Sequence, residues 1–258
     1  FIICNAYPET QYAGILHRMT LVAIGAVWPV LVGVIISLFM PAGEPFRRQI
    51  ALIWRSISEL VGAISRSGND KTETDVKGDV YVKERDVRTA IDNSYQFYGR
   101  MAHQVDKKDN VEYQLAQLRK VAGVVAVNVI AMGEEMAHIA VSDLDETLRV
   151  KAATLFSALK EAVSRISIFV ITLKPEEKLL AGTQISRLKR LVVLIREYPL
   201  PADERQVNAI KRILQLTERT IRLLENAILR VDKIGRDMPV YRSYSFMKTM
   251  FLLKPKYF

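Results

Sequence analysis

The chain has 258 residues, half of them hydrophobic, with 37 Lys and Arg against 28 Asp and Glu and a formal net charge of +9. A basic excess of this size suits nucleic acid or an anionic surface, but no compact basic motif with interleaved aromatic residues occurs, so nucleic acid is not an expected partner. The single cysteine, Cys4, excludes a disulfide framework and a cysteine-rich zinc site.

The chain opens without Met. Phe1 to Ala6 reads as the end of an earlier apolar segment and Tyr7 to Gln11 as an outer turn, so the sequence is expected to be a piece of a longer one. Met19 to Met40 then gives 22 residues without Asp, Glu, Lys, Arg or His. At about 1.5 Å per residue a helix of that length reaches about 33 Å, enough to cross a hydrocarbon core of about 30 Å. The competing reading is a buried core helix, but a run of about 10 to 14 apolar residues is what such a helix usually shows. A signal peptide is excluded by the length of the run and by the absence of a small-residue cleavage site in "MPAGEPFRR". Gly25, Pro29 and Gly33 fit a membrane helix that packs against others.

Arg47 and Arg48 follow the run, with Arg55 beyond, and outweigh His17 and Arg18 at its other end. The positive-inside rule therefore makes Arg47 and Arg48 topology anchors and places everything after residue 42 in the cytoplasm. Arg18, Trp28 and Pro29 are the candidate substrate-path residues. For Arg18 an interfacial anchor is the stronger reading, and for the Trp28–Pro29 step it is interhelical packing beside a tolerated kink.

The cytoplasmic part, residues 43–235, reads as a bundle of six helices with almost no strand pattern. The first, Pro45 to Ser67, places Ile50, Ile53, Trp54, Ile57, Leu60, Val61 and Ile64 on one stripe. "GNDKTETDVKGDVYV", Gly68 to Val82, is polar and reads as a loop. The second helix, about Lys83 to Val105, turns Val87, Ala90, Ile91, Tyr95, Tyr98 and Met101 inward. The third, about Val111 to Val141, is apolar nearly all round from Val121 to Gly133, too short a stretch to span a bilayer, and is expected to be the central helix, with a core partner for Asn128. "SDLDE" caps the fourth, which starts at Ser142 or Asp143 and runs to about Leu173. Pro175 ends it and opens the fifth, Glu176 to Arg196. "EYPLPADE" then leads into the sixth, Asp203 to about Ile234. Residues 236–258 are apolar and basic and lead toward the membrane surface or a second membrane block; Arg236, Arg242, Lys248, Lys254 and Lys256 suit contact with anionic lipid.

Chemistry-bearing patterns are sparse. Glu135 and His138 stand at i, i+3, the spacing of helix-bundle di-metal ligands, but no second Glu-x-x-His accompanies them, so a polar helix face is the better reading and no metal is expected. Arg187, Lys189 and Arg190 in "SRLKRL" could read an anion, with a solvated face again the stronger reading. No Gly-rich phosphate loop, nucleophile elbow or metalloprotease motif occurs, so neither an enzyme nor a cofactor is expected.

The order of Arg18, then Gly25 and Trp28 in an apolar helix, then Pro41, Pro45, Arg47 and Arg48, then a long amphipathic helix bearing Trp54, resembles the fusaric acid resistance protein family. That family includes aromatic carboxylic acid exporters and YccS-like inner membrane proteins. The match covers about 50 residues at the exit from the family's first membrane block. It implies an all-α chain in the bacterial inner membrane, in which residues 1–42 end a membrane block with a span at 19–40. The implied activity is export of small aromatic or other organic acids. The bilayer, further copies of the chain and a periplasmic adaptor protein are the expected partners. The competing class is a helical interaction module tethered by one or two spans.

Overall fold

The computed structural model describes residues 12–39, 44–67, 73–99, 111–138, 146–199 and 203–237. Among them the chain is entirely helical, in the order α1 Tyr12–Phe39, α2 Glu44–Ser67, α3 Glu73–Gly99, α4 Val111–His138, α5 Glu146–Thr172, α6 Pro175–Arg196 and α7 Glu204–Asp237. The chain divides into two compact units, Phe1–Glu44 and Pro45–Phe258.

The second unit is built on one repeat. Buried side chains recur at alternating steps of three and four residues: Ile50, Ile53, Ile57, Leu60 and Ile64 on α2; Leu115, Leu118, Ala122, Val125, Val129 and Met132 on α4; Ala181, Ile185, Leu188, Val192 and Ile195 on α6. Helices that present an apolar seam every 3.5 residues pack side by side along their length, as in coiled coils and helical bundles. The most extensive contacts join α5 to α6 and α4 to α7, with α7 also packed on α6 and α5.

Polar contacts give the directions. Arg230 Nη1 donates to Gln114 Oε1 at 3.1 Å, Asn128 Nδ2 donates to Thr220 Oγ1 at 3.2 Å, and Arg212 Nη1 meets Glu135 Oε1 at 2.7 Å. Rising numbers on α4 meet falling numbers on α7, so the two are antiparallel. Lys178–Asp232 at 3.0 Å, Lys189–Glu225 at 2.7 Å and the Arg196–Glu218 pair give the same sense for α6 and α7. Asn128 thus has the core partner that its apolar surroundings demand. Thr217, at another core position of α7, donates to the Ile213 carbonyl at 2.8 Å within its own helix.

Helix α2 is the most enclosed. Beyond its apolar stripe it buries Ala51, Ser58, Gly62 and Ala63, small residues that let a second helix come close. Ser58 Oγ donates to the Lys160 carbonyl at 3.1 Å, and Ser167 Oγ donates to the Ala51 carbonyl at 2.9 Å, tying α2 to α5. Helix α4 approaches α2 from elsewhere: a Cβ on Gly133 would sit 3.0 Å from Ile64 Cδ1.

Several expectations change. The loop expected through Val82 is helical from Glu73. Its residues lack an apolar stripe, which hides the helix from periodicity, while Arg66–Asp79 at 2.7 Å and Lys83–Glu59 at 3.0 Å hold it to α2. Tyr95 points outward, with the Arg119 guanidinium 3.9 Å from its ring centroid, and Ser94 takes the buried position. Helix α4 is not the central helix, because Val127 is 65% exposed and Val124 is exposed beside it. The cap at Ser142 or Asp143, Tyr98 and Met101, and the tail from residue 238 lie outside the described residues.

Two turns follow local chemistry. Asp203 caps α7, its Oδ1 accepting from the Arg205 amide at 3.0 Å. Between α5 and α6 the chain reverses over Leu173 and Lys174, with Pro175 at the first turn of α6. Leu173 has φ 54°, a left-handed conformation that costs a non-glycine residue about 1–2 kcal/mol. Its side chain is half-buried and packs against the core, a contact that glycine could not make.

Replacing Asn128 by Val should destabilise the second unit by about 1–3 kcal/mol, since Thr220 loses its buried partner, and adding Thr220→Val should recover part of that loss. Urea unfolding of the two variants and the pair checks the coupling; strictly additive losses would reject it.

Glu59 and Lys83 generate a pH dependence. Burial opposes the Glu59 charge, but Lys83 and Arg55 outweigh it and hold the carboxyl below its ordinary 4.5. The hydrogen bond to Glu59 raises Lys83 above its ordinary 10.5. A depressed carboxyl stabilises above its unfolded value and loses that contribution as pH falls through its folded value. A raised amine stabilises below its unfolded value and loses it as pH rises through its folded value. Glu59→Gln should therefore lower stability by about 0.5 kcal/mol across the window from pH 4.5 to 10.5 and by less outside it, the small size reflecting a solvent-screened pair. Thermal unfolding against pH tests this, and a difference that persists unchanged at pH 3 would refute it.

Candidate functional site

Helix α1 runs without interruption for 28 residues, with no acidic residue in its first turn and no basic residue in its last. Its termini lack the charges that stabilise helix ends facing water. From Met19 to Phe39 it carries no ionisable side chain, a length of about 32 Å. Met19, Leu21, Val22, Ile24, Val27, Trp28 and Leu31 are all exposed, Trp28 at 66%. A soluble surface rarely presents so continuous an apolar area, and such a patch marks a protein or membrane contact.

The candidate path residues fall on this helix as follows. Arg18 is half-buried near its start and is engaged by a neighbour; Trp28 is exposed. Pro29 lies inside the helix without ending it. One consequence of the spacing escapes a reading of single residues: Pro29 brings no amide hydrogen, so the carbonyl of Gly25, four residues earlier, lacks its ladder donor. Nothing lies within 4 Å of the place a Gly25 side chain would occupy. Mid-helix, α1 therefore carries a carbonyl without its usual ladder donor, three residues before the exposed indole of Trp28.

The topology anchors separate. Arg47 is only 4% exposed, at the start of α2, whereas Arg48 is exposed. They are not a matched pair of surface charges, because Arg47 shares the buried side of α2 with Phe46 and Ile50. Of the metal-spaced pair, Glu135 is engaged with Arg212, and the His138 side chain lies outside the described residues. Among the described residues no group of three or more His, Cys, Asp or Glu side chains converges. The Trp54 indole Nε1 is buried with no hydrogen-bond partner among the described residues.

By length and composition Val111–Ala137 of α4 is apolar enough to cross a membrane, but 56% of its most apolar stretch is buried within the bundle. With Arg119 and Asn128 also buried along it, α4 serves as a core-contributing helix. Between α4, α5, α6 and α7 lies an apolar cavity of about 30 Å³, lined by residues including Met136, Leu155, Ile195 and Ile213. That is room for one or two water molecules and too small for an aromatic acid.

Comparison with protein-family models, with curated proteins and with solved structures finds no match.

The exposed run on α1 gives a direct test. Ile24→Arg places a charge amid it and should cost about 2.5–3.5 kcal/mol of insertion in a bilayer, moving the protein out of the carbonate-resistant membrane fraction. The same change on a helix surrounded by water would leave the fractionation as it was.

Proposed function

We propose that the chain is part of an inner-membrane transporter of the fusaric acid resistance type, exporting small aromatic or other organic acids. In this reading α1 crosses the bilayer as the end of a membrane block, and the second unit is its cytoplasmic domain. The observation that carries it is the exposed apolar surface of α1, unbroken by charge from Met19 to Phe39. Transport needs several helices around a path near the bilayer midplane, and irregular or unpaired backbone is tolerated there where it lines a cavity or meets another helix. The Gly25 carbonyl and Trp28 suit such a contact. Further copies of the chain and a periplasmic adaptor protein are the partners proposed with it.

The exposed α1 surface fits a division of labour in which the bundle shapes or regulates the assembly and the membrane helices carry the acid. It equally favours the second reading, a membrane-tethered interaction module, in which the bundle docks a partner and nothing is transported.

Loss of the gene should sensitise cells to hydroxybenzoate-like acids, and restoration with the full-length protein should reverse the effect. Trp28→Ala should lower accumulation of the protein several-fold while leaving the order of acid preference unchanged. Unaltered sensitivity across a broad acid panel, with the protein expressed, would favour the tethered module; normal accumulation with a changed acid profile would make Trp28 a path residue.

A further inference from the structure

Helix α6 buries Ala181, Ile185, Leu188, Val192 and Ile195 against its neighbours. At about 100° per residue, the side chains opposite this seam are Leu179, Leu180, Arg187, Arg190, Val193 and Leu194, with Thr183 and Ser186 between them. All eight are exposed, and Leu179 reaches 71%. The stripe is about 22 Å long. It is apolar at both ends and cationic in the middle.

The charges on α6 are divided by partner. From Lys178 to Arg196 the helix has five cations and no carboxylate. Lys178, Lys189 and Arg196 are held by Asp232, Glu225 and Glu218 of α7. Arg187 and Arg190, on the outer face, have no ion-pair partner among the described residues. Arg190, Val193 and Leu194 border a shallow open groove with Lys189.

We propose that this face of α6 docks on an anionic bilayer surface, its leucines and valines entering the headgroup boundary while Arg187 and Arg190 bind lipid phosphates. A helix with leucines and arginines on one face is suited to lie in the plane of such an interface. A second copy fits less well. Antiparallel pairing of two α6 faces would gather four arginines at the symmetry axis with no carboxylate among them and set Glu176 against Glu197. A protein partner would need orienting polar contacts, and between the arginines and the apolar ends the stripe offers only Thr183 and Ser186. The inference rests on the membrane reading given above for α1, and the experiment separates the two.

The full chain, with Cys4→Ser and Leu179→Cys, is labelled at residue 179 with an environment-sensitive fluorophore and placed in lipid discs of phosphatidylcholine alone or mixed with phosphatidylglycerol. Blue-shifted emission and protection from iodide in the anionic discs only is the expected result. Arg187→Gln with Arg190→Gln should lower the ratio of docked to undocked probe about 30-fold, taking each arginine near an anionic surface at its usual strength, with unchanged helicity. Water-like emission in both discs overturns the proposal while leaving the membrane reading of α1 intact. A blue shift that ignores lipid charge and grows with the number of chains per disc overturns it in favour of self-association. A chain that stays out of the discs refutes the membrane reading instead; the labelled chain is then titrated with phosphatidylglycerol vesicles, where a shift supports docking and its absence rejects it.

Discussion

The bundle depends on one geometric constraint: apolar side chains every 3.5 residues must meet along antiparallel seams, and several seams converge on α7. This helix, 34 residues and about 51 Å long, packs on α4, α5 and α6. Its remaining surface is sorted by charge. Glu218, Glu225 and Asp232 form a row at seven-residue spacing that meets the cations of α6. Arg205, Arg212 and Arg219 form the adjacent row on the side of α4, where Arg212 reaches Glu135. Each exposed pair contributes at most about 1 kcal/mol. The apolar seams supply the stability, and the charge rows decide which neighbour lies on which side.

Polar groups within the seams add register. Sliding α7 along α4 by one heptad would preserve apolar contact everywhere, yet it would leave Asn128 without Thr220 and would strand a buried amide. The α2–α5 contact works similarly. Ser58 and Ser167 each donate to a backbone carbonyl of the facing helix, so two small residues hold the close approach at one position along both axes. Leu173 accepts a strained backbone for a related reason, because its side chain packs on the core from the turn.

The legible parts of the sequence are those where a helix carries its own apolar stripe. The seams of α2, α6 and α7 follow directly from spacing, as does the turn at Pro175. The early turns of α3 were hidden because their cohesion comes from ion pairs to α2, whose partners are distant in sequence. The enclosure of α2 is not legible for the opposite reason. Its second face is made of Ala51, Ser58 and Gly62, which have no hydrophobic signal and become buried only because α5 comes close. In α4 hydrophobicity alone was misleading: Val124 and Val127 continue the apolar run but face outward. For the candidate site, the uncharged run and Arg18, Trp28 and Pro29 could be picked out by residue type. The missing ladder donor of the Gly25 carbonyl also lay in the sequence, but as a pair four residues apart whose meaning requires a continuous helix through Pro29.

That pair bears on the choice between anchor and transporter. In a lone anchoring helix, a glycine and a proline one turn apart would leave the Gly25 carbonyl without its ladder donor in hydrocarbon. An unsatisfied backbone group in that environment costs several kcal/mol. The cost disappears if a neighbouring helix, a hydroxyl side chain or an ordered water donates to Gly25, and glycine is the residue that permits such an approach. The exposed indole of Trp28, three residues on, offers a broad surface for the same neighbour. In the proposed membrane reading, the Gly25–Pro29 pair suits a helix that packs against others, and a multi-helix block would supply the donor that a single tether would not.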